Sequence, residues 1–456
     1  MRISLACVCL VFFSGTWVSL SEDASAAAAQ WVVSSPRAGA RWSVGSLHYI
    51  TWTSPGNSID SRVRIEYSTD SGASWKAVAD NARNTGRHLW KVPDSVSPNC
   101  LLRIEPVEGG PPTQKQFSIV PSQEVLNYQW INVTTSAAYA PRDGAGALVF
   151  KGLMWLLGGW NPNDKVYFPR ICNNEVWSSA DGARWTLVKP NTFLDDRFDS
   201  NSDWEGRHTA GYVVYREKMW IVGGDANQGH YQNDVWNSED GKKWNRVNKG
   251  RDVPWGPRVL HYTLVFDDKI WVMGGQTIPQ IAPEEEVFYR DVWHTTDGIH
   301  WVPVQPQEPY WSARGMIGGN VVFKGRMWIL GGGTYDTPQT PFRHYYGDIW
   351  SSADGVHWTL ENEAPPWKPR QYHEVAVFDN RMWVMEGSAE PGVSGNDCWY
   401  SADGVNWYEL PDTPWIPRHA ASVFVHDNAL WIAGGSDKGK MDKGVWKLVN
   451  RASPSR

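Results

Sequence analysis

Aromatic, arginine and histidine side chains cluster in three long segments of this chain, at residues 160–174, 276–290 and 334–347. Aromatic rings stack on the apolar faces of sugars, and guanidinium groups bind carboxylates through paired hydrogen bonds. These residue types predict a carbohydrate or anionic ligand, and mutual packing of the segments is an equal alternative. The predicted ligand-binding residues are Tyr167, Phe168, Arg170, His230, Tyr231, Tyr289, Arg290, Arg343, His344 and Tyr346.

Other potentially reactive groups form no recognisable catalytic set. Four acids in residues 195–203 could supply oxygen ligands to Ca²⁺, but they lack the spacing of a known calcium loop. They are Asp195, Asp196, Asp199 and Asp203. A solvated acidic turn is the preferred interpretation, so no metal and no cofactor is predicted. No isolated acid–base pair stands out, so the catalytic residues stay unassigned.

The long segments belong to a sixfold repeat. Each copy contains an aromatic-x-x-Arg step, a Trp 13 or 14 residues after the arginine, and a glycine pair three residues beyond that Trp. The arginines are Arg142, Arg207, Arg258, Arg314, Arg370 and Arg418. In the fifth copy, Glu386 replaces the first glycine of the pair. A binding site is normally asymmetric, so arginines that recur in every copy are predicted to be structural.

Each repeat contains up to four short strands, which we call a to d. Strands a and b are apolar, rich in β-branched residues and bounded by glycine, which predicts buried strands. Strands c and d each carry a Trp, and an Asp-Gly hairpin turn joins them. A unit of this length cannot bury its apolar face alone. The pattern therefore predicts packed four-stranded blades of a β-propeller.

The repeats resemble kelch repeats, as in the central domain of galactose oxidase, over residues 126–450. The resemblance implies a six-bladed β-propeller but no particular chemistry, because propellers support many functions. Tyr372 and His373 resemble the Tyr-His pair of galactose oxidase-like copper enzymes. His261 occupies the position of His373 in the third repeat, however, which indicates an ordinary kelch histidine.

The sixth repeat lacks its strand d. Residues 128–133, ahead of the first repeat, are similar to the d strands at 185–188 and 301–304. We expect this segment to complete the last blade and close the ring, since closure removes open sheet edges.

Residues 30–121 predict a separate small β-sandwich, with alternating apolar and polar residues between Gly, Pro, Asn and Ser turns. Residues 36–52 resemble an Ig-like module related to a GPI-anchored yeast cell-wall synthesis family. Residues 68–75 match the Asp-box hairpin of sialidases, which is a turn signature and not an active site. Residues 121–127 are the predicted linker.

Residues 1–26 have the features of a secretory signal peptide: Arg2, an apolar run and a small-residue cleavage site. The mature protein is therefore expected to be secreted, extracellular or periplasmic, and no segment is apolar enough to span a bilayer. Cys100, Cys172 and Cys398 lie beyond the signal and are expected to be free thiols.

The composition gives little support for a nucleic-acid partner. The formal net charge is -6 and there is no basic stripe. The sequence thus predicts an all-β protein, an Ig-like β-sandwich followed by a six-bladed kelch-type β-propeller. The predicted function is that of a secreted, monomeric, non-catalytic protein that binds a carbohydrate or protein ligand at the long-loop face. The alternative is a glycan-active kelch enzyme, epimerase-like or, with less support, a copper radical oxidase.

Overall fold

The computed structural model describes residues 31–54, 60–122, 127–163, 170–225, 231–248, 253–277, 285–315, 318–337 and 339–451. Regular secondary structure in these residues is entirely β-strand. In these residues two sheets form the first unit, and six four-stranded sheets with two small two-stranded sheets form the second. The predicted all-β sandwich and six-bladed propeller are confirmed. The described part of the chain contains no helix that could cross a membrane.

The first unit packs a three-stranded sheet on a five-stranded sheet. Its strands are β1 (Val32–Ser35), β2 (Ala40–Ser43), β3 (Leu47–Thr53), β4 (Arg62–Ser68), β5 (Lys76–Arg83), β6 (Arg87–Lys91), β7 (Ser97–Pro106) and β8 (Thr113–Val120). The sheet orders are β1-β3-β6 and β2-β8-β7-β4-β5. Inward residues of both sheets, such as Trp52, Ile104 and Phe117, form the core between them.

The second unit begins with β9 (Tyr128–Thr134), and its blades follow in chain order. Blades one to three contain β10 (Gly146–Phe150), β11 (Leu153–Leu157), β12 (Val176–Ser179), β13 (Thr186–Lys189), β14 (Gly211–Tyr215), β15 (Lys218–Asp225), β16 (Tyr231–Ser238), β17 (Asn245–Arg246), β18 (Tyr262–Phe266), β19 (Lys269–Met273), β20 (Val292–Thr295) and β21 (Trp301–Val304). Blades four to six contain β22 (Asn320–Phe323), β23 (Arg326–Thr334), β24 (His344–Ser352), β25 (Trp358–Asn362), β26 (Glu374–Phe378), β27 (Arg381–Met385), β28 (Ser388–Glu390), β29 (Val393–Ser394), β30 (Cys398–Ser401), β31 (Tyr408–Glu409), β32 (Ser422–His426), β33 (Ala429–Ala433), β34 (Ser436–Asp437), β35 (Lys440–Met441) and β36 (Val445–Asn450).

The six blades form a closed ring. Their innermost strands, β10, β14, β18, β22, β26 and β32, contact one another in that order, and β32 also contacts β10. The outer strand of the sixth sheet is β9, which pairs antiparallel with β36 and places Trp130 opposite Leu448. The strand missing from the last repeat is thus supplied from before the first.

The Trp of strand b packs against the next blade. Trp155 lies against Gly241 in the c–d turn of blade two, where a side chain would collide with the indole ring. Gly182 meets Trp431 in the same way, so the sixth blade packs on the first. The sixth blade has no Asp-Gly turn, and Tyr128 of β9 covers Trp383 of blade five edge-on at 4.8 Å.

The c–d turns differ from the predicted Asp-Gly hairpins. In the first turn Gly182 has a φ of +69°, whereas Asp181 is not in the left-handed region. Asp181 Oδ1 instead accepts the amides of Ala183 and Arg184 at 3.0 and 2.8 Å. The aspartate therefore stabilises a longer turn through its side chain.

The sandwich contacts blade five. The N–H of Leu47 donates to the carbonyl of Trp407 at 2.9 Å, and the N–H of Ser43 donates to Asn406 Oδ1 at 2.9 Å. The first four blades carry Arg, Lys or His at the position of Asn406. The fifth blade therefore differs from the others where the sandwich contacts it.

Candidate functional site

The repeated arginines form the frame on which the site is built. Arg207 is fully buried and donates to both oxygens of Asp234, at 2.6 and 3.1 Å, and to the carbonyls of Gly223 and Glu205. Burial alone would raise the pKa of Asp234, but the ion pair with Arg207 outweighs it and lowers the pKa. The other blades pair Arg142 with Glu175, Arg258 with Asp291, Arg314 with Asp348, Arg370 with Asp397 and Arg418 with Asp442. These contacts agree with the structural role predicted for the arginines.

The residue after each arginine pairs with the residue after the glycine pair of the same blade. In blade one, Asp143 and Trp160 exchange N–H to carbonyl hydrogen bonds of 3.1 and 3.0 Å. The six pairs are Asp143–Trp160, His208–Asp225, Val259–Gln276, Gly315–Gly333, Gln371–Ser388 and His419–Ser436. The backbone geometry is therefore the same in all blades, while the side chains differ.

In the five blades where it is described, the next residue joins a belt around the ring. The N–H of Ala420 donates to Tyr372 O, that of Gly144 to Ala420 O, that of Thr209 to Gly144 O and that of Leu260 to Thr209 O, at 2.9 to 3.3 Å. These residues have φ values between +52° and +62°. A left-handed φ is unfavourable for residues other than glycine, so the belt holds several strained residues in place.

A cavity of about 410 Å³ lies at the centre of the ring. Its volume falls within the range of about 300–1,000 Å³ that is typical of small-molecule sites. The aromatic side chains in its wall are Trp160, Tyr335 and Tyr372, and the charged or titratable ones are Asp143, His208, Asp225, Arg343, His419 and Lys438. All blades but the fourth supply paired residues to the wall, and the fourth supplies Tyr335 and Arg343. The cavity is therefore polar and asymmetric.

Asp143 and His419 meet at the seam between the first and last blades. Ser436 Oγ donates to Asp143 Oδ2 at 2.7 Å and lies 3.3 Å from His419 Nε2. Burial raises the pKa of Asp143 to about 6, against the opposing effects of His208 and Ser436. Burial also lowers the pKa of His419, whose Nδ1 lies 3.1 Å from Ser394 Oγ. The Asp143 carboxyl can therefore change protonation close to neutral pH.

A second polar group lies beside them in blade two. His208 Nδ1 is 3.9 Å from Asp225 Oδ2 and 3.5 Å from Cys172 Sγ, and its ring stacks on Trp160 with centroids 6.2 Å apart. Burial raises the pKa of Cys172 well above its ordinary value. The thiol therefore stays protonated and serves as a neighbour of the imidazole, not as an activated nucleophile. Cys100, Cys172 and Cys398 are all buried free thiols.

Arg343, which also lines the cavity, is held by two neighbouring side chains. Its Nε donates to Asp336 Oδ1 at 2.6 Å, and its guanidinium lies 3.5 Å from the centre of the Tyr335 ring. The backbone N–H of Tyr335 donates to Gln276 Oε1 at 2.6 Å. A guanidinium fixed in this way is ready to bind a ligand without losing much conformational freedom.

The described members of the predicted binding set lie in different places. Arg343 lines the central cavity, and Tyr231 packs behind it against Val259 and Leu260. Tyr289 and Tyr346 cover the repeat arginines Arg258 and Arg314, 3.7 and 3.9 Å from ring centre to guanidinium carbon. Tyr167, Phe168 and His230 lie outside the described residues.

The remaining members of that set, Arg170, Arg290 and His344, do not line the cavity. Arg290 donates to both oxygens of Glu308 at 2.7 and 3.0 Å, and Arg170 binds Asp196 at 2.8 Å. His344 stacks parallel to Tyr346 with centroids 6.3 Å apart. His344 and Tyr346 belong to β24, so the last four residues of the predicted blade-four loop, 344–347, are strand.

The acidic segment at residues 195–203 does not bring its carboxylates to one point. Asp195 pairs with Arg197, Asp196 with Arg170, and Asp203 with Lys189, while Asp199 accepts the amide of Asn201. Within the described ranges, no cluster of three or more His, Cys, Asp or Glu side chains is suited to hold a metal ion.

Sequence reasoning missed Asp143, His208, Asp225, His419 and Ser436. The signal was present, since the residues beside each arginine and each glycine pair change from blade to blade while their neighbours repeat. Variable positions next to a fixed sixfold frame are where a symmetric fold can become an asymmetric site.

No protein-family model matches the chain. Among curated proteins it is similar to the leucine-zipper-like transcriptional regulator 1 homolog of Drosophila melanogaster, with 24% identity over 175 residues. The match covers 37% of this chain and 17% of the Drosophila protein's length. Among solved structures it is similar to YjhT (TM-score 0.41, 17% identity, 51% of this chain and 74% of that one). It is also similar to BT0996 in an RGII complex (TM-score 0.35, 12% identity, covering 72% of this chain and 94% of that one). A third similar structure is a Bombyx mori GH32 β-fructofuranosidase mutant in complex with sucrose (TM-score 0.35, 11% identity, covering 64% of this chain and 62% of that one).

Proposed function

We propose that this protein binds a carbohydrate in the central cavity of the propeller. The observation that carries the proposal is the asymmetric cavity wall, in which three aromatic rings alternate with acids, imidazoles and cationic groups. A sugar presents both C–H faces, which pack on rings, and hydroxyl groups, which need donors and acceptors. A wall that offers both at once fits this class of ligand.

The shape of the site favours a small ligand over a protein partner. Paired positions of five blades line a concave cavity, and the belt residues Gly144, Thr209, Leu260, Tyr372 and Ala420 line it as well. A protein partner would need a broad accessible surface of about 800 Å² on each side. Long-loop residues such as Tyr289 and Arg290 contact neighbouring side chains, which ties them to the frame.

A secreted location belongs to the same proposal and rests on residues 1–26. Their charged start, apolar run and small-residue end favour export and cleavage. Sequencing the N-terminus of the protein recovered from the medium or periplasm tests this point. A mature chain that begins near residue 27 supports secretion, and an uncut intracellular chain contradicts it.

Glycan-active enzymology is the second candidate, and the Asp143–Ser436–His419 group favours it. A carboxyl whose pKa is about 6 exchanges protons readily near neutral pH, and a histidine within reach of the same hydroxyl can act as its counterpart. Such a pair suits proton transfer between the anomeric hydroxyl and the ring oxygen, as epimerisation at the anomeric carbon requires. The copper oxidase alternative has less support, since His373 is fully buried with its Nε2 2.8 Å from Leu330 O.

A glycan array probed with the mature protein tests the binding function, with Arg343→Ala as the cavity variant and His344→Ala, which does not line the cavity, as the control. We expect the Arg343 variant to lose its signals and the control to keep them. Proton NMR of the best sugar then separates binding from turnover. Conversion that Asp143→Asn abolishes supports the enzyme, whereas binding without conversion supports a carbohydrate-binding protein.

A further inference from the structure

The fourth blade contributes to the cavity in a different way from the other blades. Both of its paired positions are glycine, so neither offers a side chain. It reaches the cavity through the tip of its β23–β24 hairpin, where Tyr335 and Arg343 line the wall. We call residues 335–337 and 339–343 the blade-four tip. Loops are more mobile than the strands they join, so fixed ligand-binding side chains on such a tip need support from neighbouring blades.

Gln276 of blade three holds the start of the tip. It occupies a paired position but does not line the cavity, and it is 2% exposed. Its Oε1 accepts the backbone N–H of Tyr335 at 2.6 Å. The ring of Tyr335 in turn packs on the guanidinium of Arg343, at 3.5 Å. The glutamine therefore fixes the residue against which Arg343 packs.

Gln371 of blade five holds the base of the tip from the other side. It also occupies a paired position without lining the cavity, and it is fully buried. Its Nε2 donates to the carbonyl of Thr334 at 3.0 Å and to that of His344 at 2.7 Å. Thr334 and His344 lie opposite each other as the last pair of the β23–β24 ladder. One amide group therefore joins both strands of the hairpin where the tip begins.

Gly333 of blade four makes room for this contact. A Cβ added at Gly333 would collide with Gln371 Nε2 and with His344 O, so a side chain at this position would displace the amide. The missing side chain of blade four and the glutamine of blade five are therefore complementary.

Each glutamine is paired with a residue that does line the cavity. The partner of Gln276 is Val259, and that of Gln371 is Ser388. The two glutamines thus lie just behind the wall, where they bond the blade-four tip and leave the ligand to other residues.

We propose that Gln276 and Gln371 are positioning residues of the carbohydrate site. They hold the blade-four tip from both neighbouring blades, so that Tyr335 and Arg343 meet the ligand in one orientation and lose little conformational freedom on binding. The inference rests on the proposed function for its ligand, while the hydrogen bonds that hold the tip are present in the free protein.

Hydrogen–deuterium exchange of the free mature protein tests this support, read by mass spectrometry of peptides that contain Tyr335 and Arg343. Gln276→Met and Gln371→Met keep an unbranched side chain but remove the bonds to the tip. We expect exchange in these peptides to be about tenfold faster in both variants, as the loss of one hydrogen bond implies. Gln276→Glu has an acceptor oxygen in either protonation state, so it should exchange like the wild type.

The matched control is Gln232→Met in blade two. Gln232 Nε2 donates to Glu205 Oε2 at 2.6 Å, so this variant also loses a glutamine hydrogen bond, but not one to the blade-four tip. Exchange in the tip peptides should stay as in the wild type. Faster exchange there in the control, or unchanged exchange in both Gln276→Met and Gln371→Met, overturns the proposal.

Titration calorimetry with the glycan selected by the array separates positioning from general stability. Gln276→Met and Gln371→Met should bind about tenfold more weakly while their Tm stays close to that of the wild type, and Gln276→Glu should bind within about twofold of the wild type. Wild-type affinity in a Met variant whose tip exchanges faster overturns the positioning role. A wild-type protein that binds no glycan contradicts the proposed function, whereas unchanged tip exchange in the Met variants contradicts this inference, so the two failures are distinguishable.

Discussion

Asp143 in the first blade and His419 in the sixth share one hydroxyl group, that of Ser436. The Ser436 Oγ lies 2.7 Å from Asp143 Oδ2 and 3.3 Å from His419 Nε2. The two ends of the propeller therefore meet within the candidate site. This link depends on closure of the ring, so the site and the seam are coupled.

Ser436→Ala should weaken carbohydrate binding about tenfold, since one hydrogen bond contributes about 1–1.5 kcal/mol and 1.4 kcal/mol is tenfold in affinity. The bond from Ser436 lowers the pKa of Asp143, so the variant should also shift the pH profile of binding upwards. Titration calorimetry between pH 5 and 8 measures both effects. Ser422→Ala is the control, since Ser422 is equally buried but bonds Ala145 O outside this cavity. Equal losses in both variants would contradict a role for the shared hydroxyl.

Deletion of residues 127–134 should open the ring. This change removes β9, exposes the edge of β36 and uncovers Trp383 of blade five. We expect a large drop in Tm with aggregation or domain-swapped dimers, measured by scanning fluorimetry and light scattering. A deletion variant that stays monomeric and melts like the wild type would refute closure by this strand.

Asp234→Asn should destabilise the fold by about 3–5 kcal/mol, because it leaves the buried Arg207 without its counter-charge. Urea unfolding measures the loss. The exposed pair of Arg197 and Asp195 provides the control, and Asp195→Asn should leave the urea midpoint unchanged. If Asp234→Asn also leaves the urea midpoint unchanged, the ion pair does not stabilise the repeated frame.

Glu386 should give the stability of the protein a distinctive pH dependence. Burial raises the pKa of Glu386 from 4.5 to about 8, although Arg418, Ala421 N–H and Arg370 oppose the shift; Asp397 adds to it. The raised pKa means that the stability contributed by the protonated acid is complete below pH 4.5 and is lost as the pH rises through about 8. Relative to Glu386→Gln, wild-type stability should therefore fall by about 1.4 kcal/mol per pH unit in that window. Parallel curves for the two proteins would show that the carboxyl is not buried as described.

The sequence predicted the frame better than the site. Arginines, glycine pairs and Trp residues recur because every blade packs on its neighbours through the same contacts. Their spacing therefore predicted the strands and the number of blades. The meeting of Asp143 with His419 arises from ring closure, which joins residues from opposite ends of the repeat array. Tyr289 and Tyr346 have the residue type of ligand contacts, yet they cover Arg258 and Arg314, and residue type alone cannot separate those roles.

The most direct test of a central carbohydrate site is titration calorimetry with the best glycan from the array. We predict that Asp143→Asn and Arg343→Ala weaken binding at least about tenfold, the equivalent of 1.4 kcal/mol, with unchanged Tm. His344→Ala, at a residue that does not line the cavity, should bind within about twofold of the wild type, or about 0.4 kcal/mol. The reverse pattern, with binding impaired in His344→Ala and intact in both cavity variants, would place the ligand on the long segments outside the cavity and contradict a central site.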